Sequence, residues 1–120
     1  MEDFNIFSDY FSSTVSGAVT IDTTVVPFRR KREIEHLTLY TGLAVTVLYG
    51  VVVPSGGQYN VLSETTVAGF YRNINFPKLT LVDGEKIRVS FTFGSSATYV
   101  LVVRYKCSYY DGSTGMIAPK

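Results

Sequence analysis

The stretch from Leu79 to Cys107 constrains the fold most, because it holds two segments of alternating hydrophobicity. From Ile87 to Phe93, apolar side chains recur at every second position with polar residues between them, the pattern of a strand with one buried face. From Ala97 to Cys107 both parities are apolar at the centre, which indicates a strand covered on both faces. Between the segments, Gly94-Ser95-Ser96 predicts a hairpin loop, since glycine can adopt a positive φ.

The length and composition indicate a single domain with its own core. A chain of 120 residues buries roughly two-thirds of its unfolded surface, which is enough without metal or disulfide staples. Hydrophobic residues make up 46% of the chain and charged residues 18%, which excludes general disorder. The longest apolar run, Leu43 to Pro54, is too short to span a bilayer, and the acidic start Met1-Glu2-Asp3 is unlike a secretory signal. We therefore expect no membrane association.

No group of residues in the chain indicates catalysis or metal binding. Cys107 is the single cysteine and His36 the single histidine, so an internal disulfide and a His/Cys zinc set are excluded. The expected role of Cys107 is that of a small buried hydrophobe. The acidic residues fall mostly at strand ends and turns, without a spacing that indicates a catalytic pair. The sequence predicts a protein that is not an enzyme and carries no cofactor.

The basic run Phe28 to Arg32 could form a local binding patch although the net charge is only +1. Its candidate contact residues are Arg29, Arg30 and Arg32. Three interpretations remain: a solvated loop, a contact to an acidic protein surface, or a contact to nucleic-acid phosphates. Glu33 and Glu35 follow at once, and no aromatic residues for base stacking alternate with the cations, so nucleic acid is the least favoured.

The strand pattern predicts an all-β fold, an antiparallel β-sandwich of jelly-roll-like type with an N-terminal arm. Short strands at regular spacing with turn signals between them are typical of such sandwiches. The predicted domain covers residues 14–108, with an arm at 1–13 and a C-terminal tail at 109–120. The predicted strands are 14–26, 33–41, 43–53, 59–63, 67–76, 79–82, 86–93 and 97–107.

The arm carries four aromatic candidates for contact with a neighbouring protein: Phe4, Phe7, Tyr10 and Phe11. The spacing 4, 7, 11 is compatible with one face of a short helix. The same residues are also compatible with a flexible arm that docks through aromatic anchors. A terminal turn packed on its own domain is the third interpretation. A docking arm predicts that its deletion leaves the domain folded but lowers assembly.

The second apolar parity of the last strand, Val100 and Val102, predicts a contact with another subunit. Left in water, these side chains would form an apolar strip, and such patches commonly mark protein contacts. Tyr109 and Tyr110 are further interface candidates, because tyrosine joins apolar area to a hydrogen-bonding tip. We therefore expect a homo-oligomer.

The aromatic arm, the compact β domain and the closing segments Leu79 to Phe91 and Tyr99 to Tyr105 together resemble small bacteriophage virion proteins of the capsid decoration or cement type. The resemblance covers most of the chain in pattern but includes no diagnostic motif. It implies a structural protein on the capsid surface, made in the host cytoplasm, that binds the major capsid protein or another virion protein as a trimer. The alternative is a carbohydrate- or receptor-binding module in which exposed tyrosines stack on sugar rings: Tyr59, Tyr71, Tyr109 and Tyr110.

Overall fold

The computed structural model describes residues 4–74 and 79–109, which form seven strands and no helix. None of the described residues therefore lies in a helix that could cross a membrane. The strands are β1 (Phe4–Asp22), β2 (Arg30–Thr41), β3 (Thr46–Val52), β4 (Gln58–Thr65), β5 (Phe70–Ile74), β6 (Thr80–Val82) and β7 (Lys86–Tyr109).

Strand β7 is the centre of the sheet. It pairs with β1 from Arg88 to Ser108, while its other edge pairs first with β3 and then with β2. Strand β4 adds to β3, and both β5 and β6 add to β2. Every pairing is antiparallel.

The predicted hairpin loop at Gly94-Ser95-Ser96 is wrong, because β7 continues through these residues as one strand. Strand β1 lies beside both halves of β7: Val15 is opposite Ala97, and Gly17 is opposite Phe93. The three residues therefore form a bulge opposite a single residue of β1. The positive φ at this bend belongs to Gly17, at 88°, and not to Gly94.

The bend divides the sheet into two layers that share one core. One layer contains the end of β1, the start of β7, β3 and β4; the other contains the start of β1, the end of β7, β2, β5 and β6. Side chains from both layers meet in a single hydrophobic cluster, which includes Val47, Tyr49, Val89, Leu39 and Leu101. The predicted all-β, antiparallel, jelly-roll-like sandwich is confirmed.

The described part of the predicted arm is a strand of the sheet. Residues 4–13 pair with β7 of the same chain, and β1 crosses the predicted arm boundary at Ser13 without a break. A helix or a separate arm is therefore not what forms here. The second half of β7 offers a continuous row of backbone N–H and C=O groups, and residues 4–13 pair with this row along its length.

A tight turn connects β6 to β7. Asp83-Gly84 turns between β6 and β7, with Gly84 at a φ of 85° and a 3.0 Å hydrogen bond from the Glu85 N–H to the Val82 carbonyl. The basic run differs from expectation, since β2 begins at Arg30 and only Phe28 and Arg29 remain in the turn, with Arg29 at a φ of 59°.

Candidate protein-interaction face

The solvent side of the second layer presents tyrosine and valine side chains from four neighbouring strands. Residues directly opposite each other in antiparallel strands point to the same face. The order β1, β7, β2, β5 therefore produces rows across the sheet about 14 Å wide, since strands lie about 4.8 Å apart. The first row is Ser12, Val100, Tyr40 and Tyr71. The second row is Tyr10, Val102, Thr38 and Asn73.

We call Tyr10, Tyr40, Tyr71, Val100 and Val102 the tyrosine face. Its outer members project into solvent: Tyr10 is 67% and Tyr71 66% exposed, while the other three are half-buried. The rings of Tyr40 and Tyr71 lie 5.1 Å apart and are tilted by 44°. These rings therefore support each other across β2 and β5, and the face is held in shape before any partner binds.

Polar groups border the tyrosine face at both ends. On one side the hydroxyls of Thr14 and Thr98 share a 2.7 Å hydrogen bond. On the other side the guanidinium of Arg104 lies 4.0 Å from the carboxylate of Glu35. An apolar, aromatic centre inside a polar border is the usual composition of a protein interface.

A shallow depression adjoins the tyrosine face at the edge strand β5. It has a volume of about 280 Å³ and is lined by Val67, Phe70, Tyr71 and Arg72. Phe70 is 66% exposed, and the guanidinium of Arg72 binds the carboxylate of Glu64 on β4. Aromatic surface and a charged hydrogen-bonding pair therefore lie side by side.

Three of the predicted interface residues, Tyr10, Val100 and Val102, come together on the tyrosine face. Their role in an interface stays a prediction. Tyr40 was not predicted as a contact residue, because its position opposite Val100 depends on the register between β2 and β7. Alternation within β2 places it on the solvent side, but the sequence alone does not indicate which strand lies beside it.

Phe7 and Phe11 point to the opposite side of β1 from Tyr10, toward the core. The Phe7 ring stacks on Tyr105 at 6.0 Å and is 36% exposed, and Phe11 is half-buried against the core. The helical interpretation of the spacing 4, 7, 11 is wrong because these residues form a strand. Successive side chains of a strand point to opposite faces, so Phe7 and Phe11 share one face and Tyr10 lies on the other. Both side chains therefore belong to the domain's own packing.

Three other interface candidates lie at the limit of the described residues. The Phe4 backbone pairs with Ser108, and the Tyr109 backbone pairs with Arg30. The side chains of Phe4 and Tyr109, and all of Tyr110, lie outside what the structure describes.

Arg32 is buried inside the chain, which corrects its assignment to an interface. Only 7% of the residue is exposed, because alternation along β2 turns its side chain inward. Its guanidinium donates to the Thr24 carbonyl at 3.0 Å and to the Thr24 hydroxyl at 2.8 Å, and lies 4.6 Å from the Phe7 ring centre. Arg30 is half-buried in the same strand. Arg29 is exposed in the turn, with its guanidinium 5.3 Å from the Phe28 ring centre.

A buried carboxylate, Asp9, lies next to Arg32 in this network. It accepts hydrogen bonds from the Thr24 N–H and the Tyr105 hydroxyl, each at 3.1 Å. Burial raises the pKa of Tyr105, so this hydroxyl stays protonated and donates at neutral pH. The network ties β1, the segment after it, β2 and β7 together, which is a structural role.

Cys107, the single cysteine, lies in surroundings that lower the reactivity of its thiol. Burial raises the pKa of the Cys107 thiol, which keeps it in the unreactive protonated form at neutral pH. Within 4–74 and 79–109, no three His, Cys, Asp or Glu side chains are grouped so that they could hold a metal ion.

Sequence comparison assigns this chain to no family. No family model matches it, and no curated protein is significantly similar. Solved structures do share its fold. The crystal structure of PirA aligns with a TM-score of 0.53 and 16% identity, over 79% of this chain and 92% of that chain.

Structures from infectious bursal disease virus also align. A chain of the Gt strain gives a TM-score of 0.52 at 12% identity over 93% of this chain, and VP2 of the subviral particle gives 0.50 at 13% identity over 97%. This chain spans only 33% and 36% of the length of those two viral chains. At such low identities the likeness shows the fold alone: this chain has an all-β fold that also occurs in proteins of virus particles.

Proposed function

We propose that this protein is a non-enzymatic structural component of a virus particle, which stabilises the shell by binding the major capsid protein or another virion protein. Within that role, the resemblance in the sequence favours a bacteriophage decoration or cement protein on the capsid surface. The tyrosine face is the surface that makes the contact.

The observation that carries this proposal is the combination of exposed tyrosines and half-buried valines on a preformed four-stranded surface. Tyrosine buries a large area at a small cost in conformational entropy and is enriched at interfaces. The strands beneath are held by the core, so little ordering is needed on binding. The structural similarity to proteins of virus particles also supports the proposal, because it shows that this fold occurs in such particles.

The test is attachment to particles. Val102→Asp should remove co-sedimentation of the protein with particles, since the carboxylate would be buried unpaired at the contact. The matched control is Val103→Asp on the neighbouring, fully buried position, which should unfold the domain. Far-UV circular dichroism distinguishes a folded variant that no longer attaches from an unfolded variant. A folded Val102→Asp protein that still co-sediments at the wild-type level would contradict the proposal.

A carbohydrate- or receptor-binding role is the second candidate, and the depression beside Phe70 favours it. Exposed aromatic rings stack on sugars, and the Arg72–Glu64 pair could bind their hydroxyls. Glycan-array binding by the wild-type protein that is lost in Phe70→Ala, with particle attachment unchanged, would support this role. If the wild-type protein binds no glycan and Val102→Asp no longer attaches to particles, the result would favour the structural role over carbohydrate binding.

A further inference from the structure

Strand β1 is an unusually long edge strand. It covers 19 residues, whereas strands commonly have five or six. Its strand partner is β7, and within residues 4–74 and 79–109 no other strand pairs with the backbone groups of its second edge. An exposed row of N–H and C=O groups is a template for pairing with another strand.

The usual protections of an edge strand are weak in β1. Proteins blunt such edges with lysine, proline, short length, bulges or inward-pointing charges. Between Phe4 and Asp22 there is no Lys, Arg or Pro. The bulge before Gly17 interrupts only the second half, and Asp9 points inward but is satisfied by Thr24 and Tyr105. The segment from Ile6 to Thr14 is therefore a regular, open strand.

The chemistry of this segment fits a second copy of itself. Its solvent-side residues are Ile6, Ser8, Tyr10, Ser12 and Thr14, none of which is charged. Two such strands can lie antiparallel without like charges facing each other. The segment is also centred on Tyr10, its most exposed large side chain at 67%.

We propose that two copies of this chain pair edge to edge through β1, antiparallel, about a two-fold axis at Tyr10. Tyr10 then faces Tyr10 of the partner, and Ser8 faces Ser12 of the partner. A two-fold contact uses the same patch on both copies, so one self-complementary strand is sufficient. The pairing joins the two outer faces into one continuous sheet and places two tyrosine faces side by side. The proposal does not depend on the virion role.

Charge pairs across the axis test this register. Ser8→Glu with Ser12→Glu places two like-charged pairs across the contact and should raise the dimer dissociation constant by roughly tenfold. Ser8→Glu with Ser12→Lys places opposite charges there and should restore the dimer. Both positions are exposed, so far-UV circular dichroism should show folded variants. Sedimentation equilibrium should give the wild type twice the chain mass of 13.3 kDa.

Cysteine cross-linking gives an independent measurement. In a Cys107→Ser background, Tyr10→Cys should form a covalent dimer on oxidation, because paired residues across strands bring their Cβ atoms close enough for a disulfide. Tyr71→Cys is the matched control: it is equally exposed, at 66%, on the same face, but lies on β5. It should not cross-link.

A wild-type monomer at about 100 µM, well above typical interface affinities, would overturn the pairing. So would the trimeric mass that the resemblance in the sequence implies, since a three-fold ring needs a head-to-tail contact. Equal dissociation constants for the two charge variants, or cross-linking at Tyr71→Cys as efficient as at Tyr10→Cys, would also overturn it. None of these outcomes bears on particle attachment through the tyrosine face, which is measured separately.

Discussion

At the scale of single residues, charged side chains mainly join strands of the same chain. The guanidinium of Arg88 binds the Asp22 carboxylate through two hydrogen bonds of 2.7 and 2.8 Å, and the Lys86 ammonium lies 3.0 Å from the same carboxylate. These bonds connect the end of β1 to the start of β7. The hydrogen bond from Arg88 is the main reason that the pKa of Asp22 falls from 3.8 to about 2.

The lowered pKa of Asp22 predicts a dependence of stability on acid. A carboxyl whose pKa is lower in the folded state stabilises the fold above the unfolded value and loses this contribution as the pH falls from about 4 to 2. Asp22→Asn should reduce the free energy of unfolding at pH 7 by about 1 kcal/mol, since partial exposure screens the pair. Urea unfolding at pH 7 and pH 2 measures it. A variant equally less stable at both values would contradict this assignment.

Removing the buried carboxylate of Asp9 should lower the free energy of unfolding more than Asp22→Asn does. Asp9→Ala removes the acceptor of the Tyr105 hydroxyl and the Thr24 N–H, so it should lower the free energy of unfolding by about 1–3 kcal/mol. Ser12→Ala, an exposed change in the same strand, should stay within about 0.5 kcal/mol of wild type. Denaturant unfolding compares the two. Similar small effects would show that the Asp9 network adds little to stability.

At the scale of elements, glycines set the bend and one tight turn. Gly17 at the bulge and Gly84 before β7 have nearly the same φ, 88° and 85°. Their surroundings differ. A Cβ at Gly17 would meet nothing within 4 Å, whereas a Cβ at Gly84 would lie 2.5 Å from Cγ of Pro54. A Cβ at Gly17 would therefore cause backbone strain alone, whereas a Cβ at Gly84 would cause backbone strain and a steric conflict with Pro54.

Alanine at these glycines should therefore have unequal effects. Gly17→Ala should cost about 1–2 kcal/mol, the penalty of a left-handed conformation for a residue with a Cβ. Gly84→Ala should cost clearly more, because Pro54 must move as well. The difference in midpoint of thermal unfolding between the variants measures this. Equal midpoints would mean that Pro54 gives way freely.

At the scale of the whole molecule, the first and last described strands, β1 and β7, pair along their length. Phe4 pairs with Ser108 and Val15 with Ala97, so β1 covers one edge of the longest strand over both layers. Phe7 and Phe11 add side-chain cover over this half of the core. Residues 4–13 are thus part of the structure that holds Leu101, Val103 and Tyr105 away from water.

Deletion of residues 1–13 should consequently destabilise the domain, contrary to what a docking arm predicts. The loss of two aromatic side chains from the core, with one edge of β7 unpaired, should cost at least about 3 kcal/mol. Circular dichroism with urea unfolding checks this. A truncated chain with the wild-type unfolding midpoint would restore the interpretation of the segment as an independent arm.

The period-two patterns determined the all-β class and most strands, since alternation reflects local exposure of each strand to water and core. The turn at Asp83-Gly84 was also predictable, because positive φ and turn chemistry act within a few residues. Tertiary structure decided the rest. The local sequence Gly94-Ser95-Ser96 predicts a hairpin loop, but pairing of both flanking segments with β1 makes these residues a bulge within one strand.

The tyrosine face and the burial of Arg32 depended on tertiary structure for the same reason. The sequence shows Tyr10, Tyr40 and Val100 as separate positions, and only the register between β1, β7 and β2 places them on one surface. Arg32 belongs to a basic run that reads as a solvated loop, yet strand parity turns it toward Thr24 and Phe7. Register is set by backbone pairing between residues distant in the chain, and a local pattern carries no information about which residues those are.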